Sequence, residues 1–198
     1  MKRHISERVL LVATCFLAGA LAWGQKNSGS AQNRIGTLEV AVVYNPMMTN
    51  LVGGSKFWMQ GGSVQVHGQF WRGFGIVADV SGLHAENING AGTGLDLVTA
   101  TFGPRYTWYP PRQRFSVYGQ ALAGTANAMN SLFPTSTGAE TSASGYAVKV
   151  GGGANVPLSH QFSLRAIEAD WMRTDFPNST TVVQNSLRLG AGVVYRFR

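Results

Sequence analysis

Hydrophobic and polar positions alternate along most of the chain. In the last segment, Asn185 to Phe197, the odd positions from 187 are Leu187, Leu189, Ala191, Val193, Tyr195 and Phe197; the even ones are Ser186, Arg188, Gly190, Gly192, Val194 and Arg196. Successive strand residues point to opposite faces, so this segment predicts a strand with one apolar face and one small or charged face. The same pattern recurs upstream. Thr37 to Asn45 sets Leu38, Val40, Val42 and Tyr44 against Glu39 and Ala41, and Ser63 to Trp71 sets Val64, Val66 and Phe70 against Gln65, His67 and Gln69. From Phe74, the residues Phe74, Ile76, Ala78 and Val80 oppose Gly75, Asp79 and Ser81. From Val98 to Trp108, Phe102, Tyr106 and Trp108 oppose Thr101, Arg105 and Thr107; from Tyr146, Tyr146, Val148 and Val150 oppose Ala147, Lys149 and Gly151. Phe115 to Met129 is blurred by Tyr118 and Leu122, and the phase slips at Ala166-Ile167 within Phe162 to Arg173. That slip predicts a bulge, with Phe162, Leu164, Ala169 and Trp171 on one face and Arg165, Glu168 and Asp170 on the other. The total is eight strands.

The connections alternate in length. Short turns follow strands two, four and six (Arg72-Gly73, Pro110 to Arg114, Pro157 to Gln161), and long loops follow one, three, five and seven (Pro46 to Gly62, His84 to Gly94, Asn130 to Ser142, Thr174 to Gln184). Such alternation puts every long loop at one end, as in membrane barrels. Phe70, Trp71, Phe74, Trp108, Tyr109, Phe115, Phe162, Tyr195 and Phe197 gather near the short-turn end. A ring there suits a lipid–water interface, where an aromatic body is apolar and its tip stays wet.

A soluble carrier barrel is the opposite orientation. Its lumen would have to hold the Phe, Trp, Tyr and Val of the apolar faces, which overfill a barrel about eight strands around. Turned outward, those side chains meet lipid, and small residues and charges fill the interior. The inward set is then Glu39, Asp79, Glu168 and Asp170 against Arg105, Lys149, Arg165 and Arg188. Four acids facing four bases can neutralise one another, as buried charges require. Pairs such as Arg105 with Glu168 or with Asp79 are expected.

Composition fits this picture. Of 198 residues, 44% are hydrophobic, only 13% are charged and 25 are glycine, which is charge-poor and glycine-rich for a soluble domain. The N-terminus explains how such a chain is exported. Lys2, Arg3 and Arg8 precede an apolar run from Val9 to Ala22, followed by small residues around Ala20 to Gly24, the parts of a secretory signal peptide. Residues 1–24 are therefore read as that signal, 25–36 as a flexible periplasmic leader and 37–198 as the barrel domain. Cys15, the sole cysteine, falls within the signal, which leaves neither a disulfide framework nor a cysteine metal site. Past the signal, 13 basic residues stand against 8 acidic ones, or +5. In an exported protein that charge points to outer-membrane lipid and lipopolysaccharide, and not to nucleic acid. No later segment approaches the ~18 continuous apolar residues of a spanning helix.

Five segments carry a resemblance: Gly103-Pro104-Arg105-Tyr106, Tyr118-Gly119-Gln120-Ala121-Leu122, Gly151-Gly152-Gly153, Leu164 to Trp171, and Gln184 to Gly192. Together they resemble the small outer-membrane β-barrel family of OmpA-like and OmpX-like eight-stranded barrels, in its single-domain acidobacterial-type form. The likeness spans residues 37–198. It implies an all-β, eight-stranded antiparallel up-and-down transmembrane β-barrel in a bacterial outer membrane, both ends periplasmic, working as a monomer. It also implies an assembly signal at the end of the last strand, read by the barrel-assembly machinery. Val193, Tyr195 and Phe197 match that signal, although Arg198 follows the phenylalanine. No peptidoglycan-binding domain is expected after the barrel.

Candidate chemistry is sparse. His4, His67, His84 and His160 lack metal-ligand spacing, so no metal or cofactor is expected. Ser81, His84 and Glu86 cluster near the end of the third strand, but Ser81 falls inward and His84 outward, which separates a nucleophile from its base. Gly151-Gly152-Gly153 lacks the Lys-Ser/Thr of a phosphate loop and lies inside a strand pattern. The Asn178-Ser179-Thr180 sequon has no force in a bacterial protein. The expectation is a non-enzymatic barrel with a largely plugged polar lumen and four long extracellular loops open to an external ligand. The alternatives are a narrow pore for small solutes and, more remotely, a lipid A-modifying enzyme.

Overall fold

Nine antiparallel strand segments close into a barrel of eight staves among the residues described by the computed structural model, which are 36–49, 56–86, 94–111, 114–135, 138–176 and 183–197. They are β1 (Thr37–Tyr44), β2 (Met47–Thr49), β3 (Phe57–Trp71), β4 (Phe74–Ala85), β5 (Leu95–Trp108), β6 (Ser116–Thr135), β7 (Gly138–Pro157), β8 (Phe162–Asp175) and β9 (Val183–Arg196). β1 and β2 share the neighbours β3 and β9 and form one stave. Only Asn45-Pro46 interrupts it, since proline has no N–H to give the ladder. The register continues unshifted across the break, and the Pro46 carbonyl still accepts a bond from Leu189 N at 2.9 Å. β1 pairing with β9 closes the barrel. Closure matters energetically because it leaves no edge strand with unpaired backbone. The expected signal peptide (1–24), all of the expected leader (25–36) but Gly36, and the 178–180 sequon lie outside the described residues.

The short connections behave as their sequences predict. Arg72 and Gly73 both take positive φ, 34° and 95°, to turn β3 into β4, a conformation that glycine adopts without steric cost. The long connections are shorter than expected. Strand pairing extends over Met47–Thr49 and Phe57–Gly62, and the expected loop Asn130 to Ser142 is largely the continuation of β6 into β7 past an irregularity between Met129 and Phe133.

The reason is a reversal of polarity along the staves. In the half nearer the short turns, outward positions are apolar (Phe74, Ile76, Val80, Phe102, Tyr106) and inward ones polar (Gln65, Asp79, Thr101, Arg105). Nearer the long connections the outward positions become Gln60, His84, Asp96 and Asn127, and the inward ones become Met59, Leu83, Leu95, Leu97 and Ala128. An alternation whose sign flips halfway reads as two weaker patterns, so the upper strand ends resemble loop. A second set of outward aromatics, Tyr44, Trp58, Tyr146 and Trp171, stands on the loop-ward halves of their strands.

The bulge at Ala166-Ile167 is present. Both residues are exposed, and the β8–β9 register shifts between Arg165 and Glu168. In a regular strand residues three apart face opposite ways. Here the extra residue turns both Arg165 and Glu168 into the lumen, where they pair at 2.7 Å.

Candidate functional site: the lumen

The lumen is filled in three layers. At the short-turn end, Glu39 and Arg196 sit opposite each other in the β1–β9 register, and Arg196 Nη2 lies 2.6 Å from Glu39 Oε1. His67 Nδ1 lies 3.3 Å from the other carboxylate oxygen. This clasp joins the first and last staves.

Above it lies the charge layer. Arg188 Nη2 contacts three carboxylates: Asp170 at 2.6 Å, Glu168 at 2.7 Å and Asp79 at 3.4 Å. Lys149 Nζ lies 2.8 Å from Asp79 Oδ1, and Arg165 Nη1 lies 2.7 Å from Glu168 Oε2. Gln65 Nε2 donates to Asp79 and Glu168 at 2.9 Å, and its carbonyl accepts from both Arg105 and Arg165 at 2.5 Å. Gln120 accepts from Arg105 and donates to Asp170 at 3.0 Å. Each amide thus bridges charges of opposite sign, its carbonyl on arginine and its NH2 on carboxylate, which lowers the cost of burying them. All seven charged side chains of this layer, Asp79, Arg105, Lys149, Arg165, Glu168, Asp170 and Arg188, are buried.

Sequence parity brought these seven to one layer, but two expectations about partners need correction. Glu39 pairs with Arg196 and His67, not with the central bases. Arg105 forms neither the Glu168 nor the Asp79 pair. Its hydrogen bonds go to Gln65 and Gln120, and its guanidinium lies 4.3 Å from the centre of the Tyr118 ring. Tyr118 is the residue the pattern obscured. Its ring lies between Arg105 and Arg165, at 4.8 Å from the latter, and its hydroxyl donates to Glu168 at 2.5 Å. An aromatic face takes a buried guanidinium whose carboxylate partners are already committed. The signal was present in the numbering, because Tyr118 shares the phase of Gln120 and so had to face inward.

Tyr118→Phe is expected to cost ~1–3 kcal/mol, the value of a hydrogen bond to a charged group. Tyr118→Leu should cost more, since it also removes the ring from both guanidiniums. Urea unfolding in detergent micelles measures both. Equal stability of the two variants would show that the ring face contributes nothing.

Glycines make room for the layer. A Cβ at Gly151 would collide with Asp170 Oδ1 and the Ala169 carbonyl, and one at Gly75 with the His67 imidazole. Close packing therefore accounts for Gly151.

The third layer was not expected. Toward the long connections the lumen holds a buried apolar cluster of Met47, Met59, Leu83, Leu95, Leu97, Met172 and Phe176, beside the buried polar residues Thr49, Thr174, Gln184 and Ser186. Met47 stands opposite Arg188 in the register, so this layer rests on the charge layer.

The Ser81 hydroxyl is bonded to Thr99 inside the barrel at 2.6 Å, while His84 on the outer face bonds Asp96 at 2.5 Å. The barrel wall separates them. His160 is exposed in the β7–β8 turn. Val193 and Tyr195 occupy outward positions on β9, and the Tyr195 ring packs edge-on against Phe197 at 4.8 Å and Phe162 at 5.1 Å.

No family model and no curated protein sequence matches this chain. Its fold matches solved structures. The chain is similar to Neisserial surface protein A, with a TM-score of 0.60 at 13% identity, covering 81% of this chain and 98% of that one. It is also similar to Ail, the attachment invasion locus protein of Yersinia pestis, in complex with the heparin analogue sucrose octasulfate (TM-score 0.52, 21% identity, 82% and 99% covered). With these neighbours, an outward apolar belt and a polar buried layer, the chain has the all-β, eight-stranded antiparallel fold of the small outer-membrane barrels.

Proposed function

We propose that this chain is a non-enzymatic wall protein of a bacterial outer membrane, with its lumen closed and its long connections facing outward from the cell. The observation that carries the closed lumen is the stacking of two dissimilar layers: a hydrogen-bonded charge network, and an apolar layer resting on it. A hydrated ion crossing the barrel would have to break ion pairs and then pass a cluster of buried apolar side chains, and shedding its water there is costly. The outer face supports the membrane location. Twenty-five large apolar side chains are exposed among the described residues, far more than the few hundred Å² of apolar patch normal on a soluble monomer. The last strand, with Val193, Tyr195 and Phe197, is the segment we assign to the assembly machinery, and the working form is a monomer in outer-membrane lipid and lipopolysaccharide.

The long-connection end is the surface left for an external ligand. Ail is solved with a sulfated sugar analogue. Here that end carries Glu86, Asp96, Glu140 and Asp175 against Lys56 and Arg173, a balance that disfavours a polyanion.

Two measurements test this reading. The folded protein should fractionate with outer membrane and run differently on a gel before and after boiling; a soluble periplasmic fraction with unchanged mobility would contradict the membrane assignment. Liposomes holding the protein should not swell in small sugars. Swelling at the rate of a general porin would establish the second reading, a narrow solute pore.

A further inference from the structure

The charges outside the lumen are sorted by end. Among the described residues, the exposed acidic side chains Glu86 and Asp175 and the partly exposed Asp96 lie toward the long connections. The short-turn segments 70–76, 106–117, 156–163 and 195–198 contain no Asp or Glu, yet they hold Arg72, Arg112, Arg114, His160 and Arg198. Arg72 and Arg114 are exposed; Arg112 and Arg198 lie outside the described residues. The nearest carboxylate, Glu39, is turned into the lumen and held by Arg196 and His67, so it cannot neutralise the rim.

These arginines stand among outward aromatics. Arg72 sits in its turn between Trp71 and Gly73, and the rings of Trp71, Phe74 and Tyr106 form a continuous contact at 5.9 and 4.7 Å. Arg114 directly precedes the exposed Phe115. Aromatic rings of this kind settle at the depth of lipid headgroups, which sets both guanidiniums at the level of the phosphates. A guanidinium offers a planar fork that fits a phosphate bidentately.

We propose that the short-turn rim is a binding surface for anionic phospholipid headgroups, with Arg72 and Arg114 as the phosphate ligands, so that the barrel selects anionic lipid in the leaflet its short turns face. This rests on the membrane reading above. The occupant is a bilayer lipid and not free phosphate, because the aromatic contacts that position the arginines need an acyl phase beside them.

The test compares spin-labelled phosphatidylglycerol with spin-labelled phosphatidylcholine at the barrel surface in phosphatidylcholine vesicles, read as a relative association constant. The expected preference for the anionic lipid is about fivefold, what one basic residue near a charged surface supplies. It should fall as salt is raised. In the Arg72→Asn/Arg114→Gln double variant it should vanish, asparagine being chosen because it tolerates the left-handed backbone at position 72. The Arg72→Lys/Arg114→Lys variant should keep part of it, and serves if the first variant fails to fold. Excess inorganic phosphate should not compete. A barrel that inserts and shows no preference, a preference undiminished in the Arg72→Asn/Arg114→Gln variant or, should that variant not fold, undiminished in the lysine variant, or one abolished by inorganic phosphate would each overturn the proposal while leaving the membrane barrel intact. Failure to insert into any vesicle would overturn both.

Discussion

Replacing Arg188 with alanine is expected to cost the barrel ~3–5 kcal/mol of unfolding free energy, the price of stranding buried charge without its partner. The geometry makes this position the extreme one. One terminal nitrogen of Arg188 faces Asp79, Glu168 and Asp170 at once; without it Asp79 keeps Lys149 and Glu168 keeps Arg165, while Asp170 keeps only the hydrogen bond from Gln120 among the interactions named above. No other base in the lumen touches three carboxylates among the described residues. Arg188→Lys should recover part of the loss, since a point charge can approach one or two of the acids but cannot fork across them. The combined variant Arg188→Met/Asp170→Leu should be less damaged than Arg188→Ala, because it removes charge in a pair and fills the space. Urea unfolding in micelles measures all three. If Arg188→Ala unfolded at the wild-type midpoint, the charge layer would be incidental to stability.

The second large effect lies on the opposite side of the wall. Ala78 faces outward in the middle of the apolar belt, opposite Phe102 in the β4–β5 register. Arginine there should cost ~2–4 kcal/mol, the value for a cation at the midplane of a barrel's lipid face. Arginine at His84, on the same face of the same strand but beyond the belt, should cost ~0–1 kcal/mol. Ala78→Leu should be neutral or stabilising in lipid. A soluble barrel with the same coordinates would show the reverse order, tolerating Ala78→Arg and losing solubility with leucine. Equilibrium unfolding from phospholipid vesicles distinguishes the two.

What the sequence made legible was parity. Alternation puts Glu39, Asp79, Arg105, Lys149 and Arg188 on the inward face, and the local slip at Ala166-Ile167 marks the bulge that turns Arg165 and Glu168 the same way, with Asp170 on that face too. Which charge meets which depends on stagger between strands remote in sequence, and alternation carries no information about that. The carboxylate partners expected for Arg105 are therefore not found: two glutamine carbonyls and the Tyr118 ring take it. Arg196 shares the parity of Arg188 on the last strand, yet the expected inward set omits it, because its pairing with Glu39 depends on how the barrel closes.

The apolar upper layer escaped for a different reason. Met59, Leu83 and Leu97 face inward while Gln60, His84 and Asp96 face outward, the polarity expected of a water-soluble barrel. That inversion sits where the wall rises out of the apolar belt, so the solvent on its outer side changes along one strand. A single rule for which face is apolar fails at that height, and the strand ends pass for loops.

Single-channel recording in planar bilayers tests the closed lumen most directly. The wild-type protein should insert without resolved conductance steps, because the charge layer and the apolar layer each block the path. Regular, reproducible conductance steps from wild-type protein, at a size that scales with salt, would contradict the account.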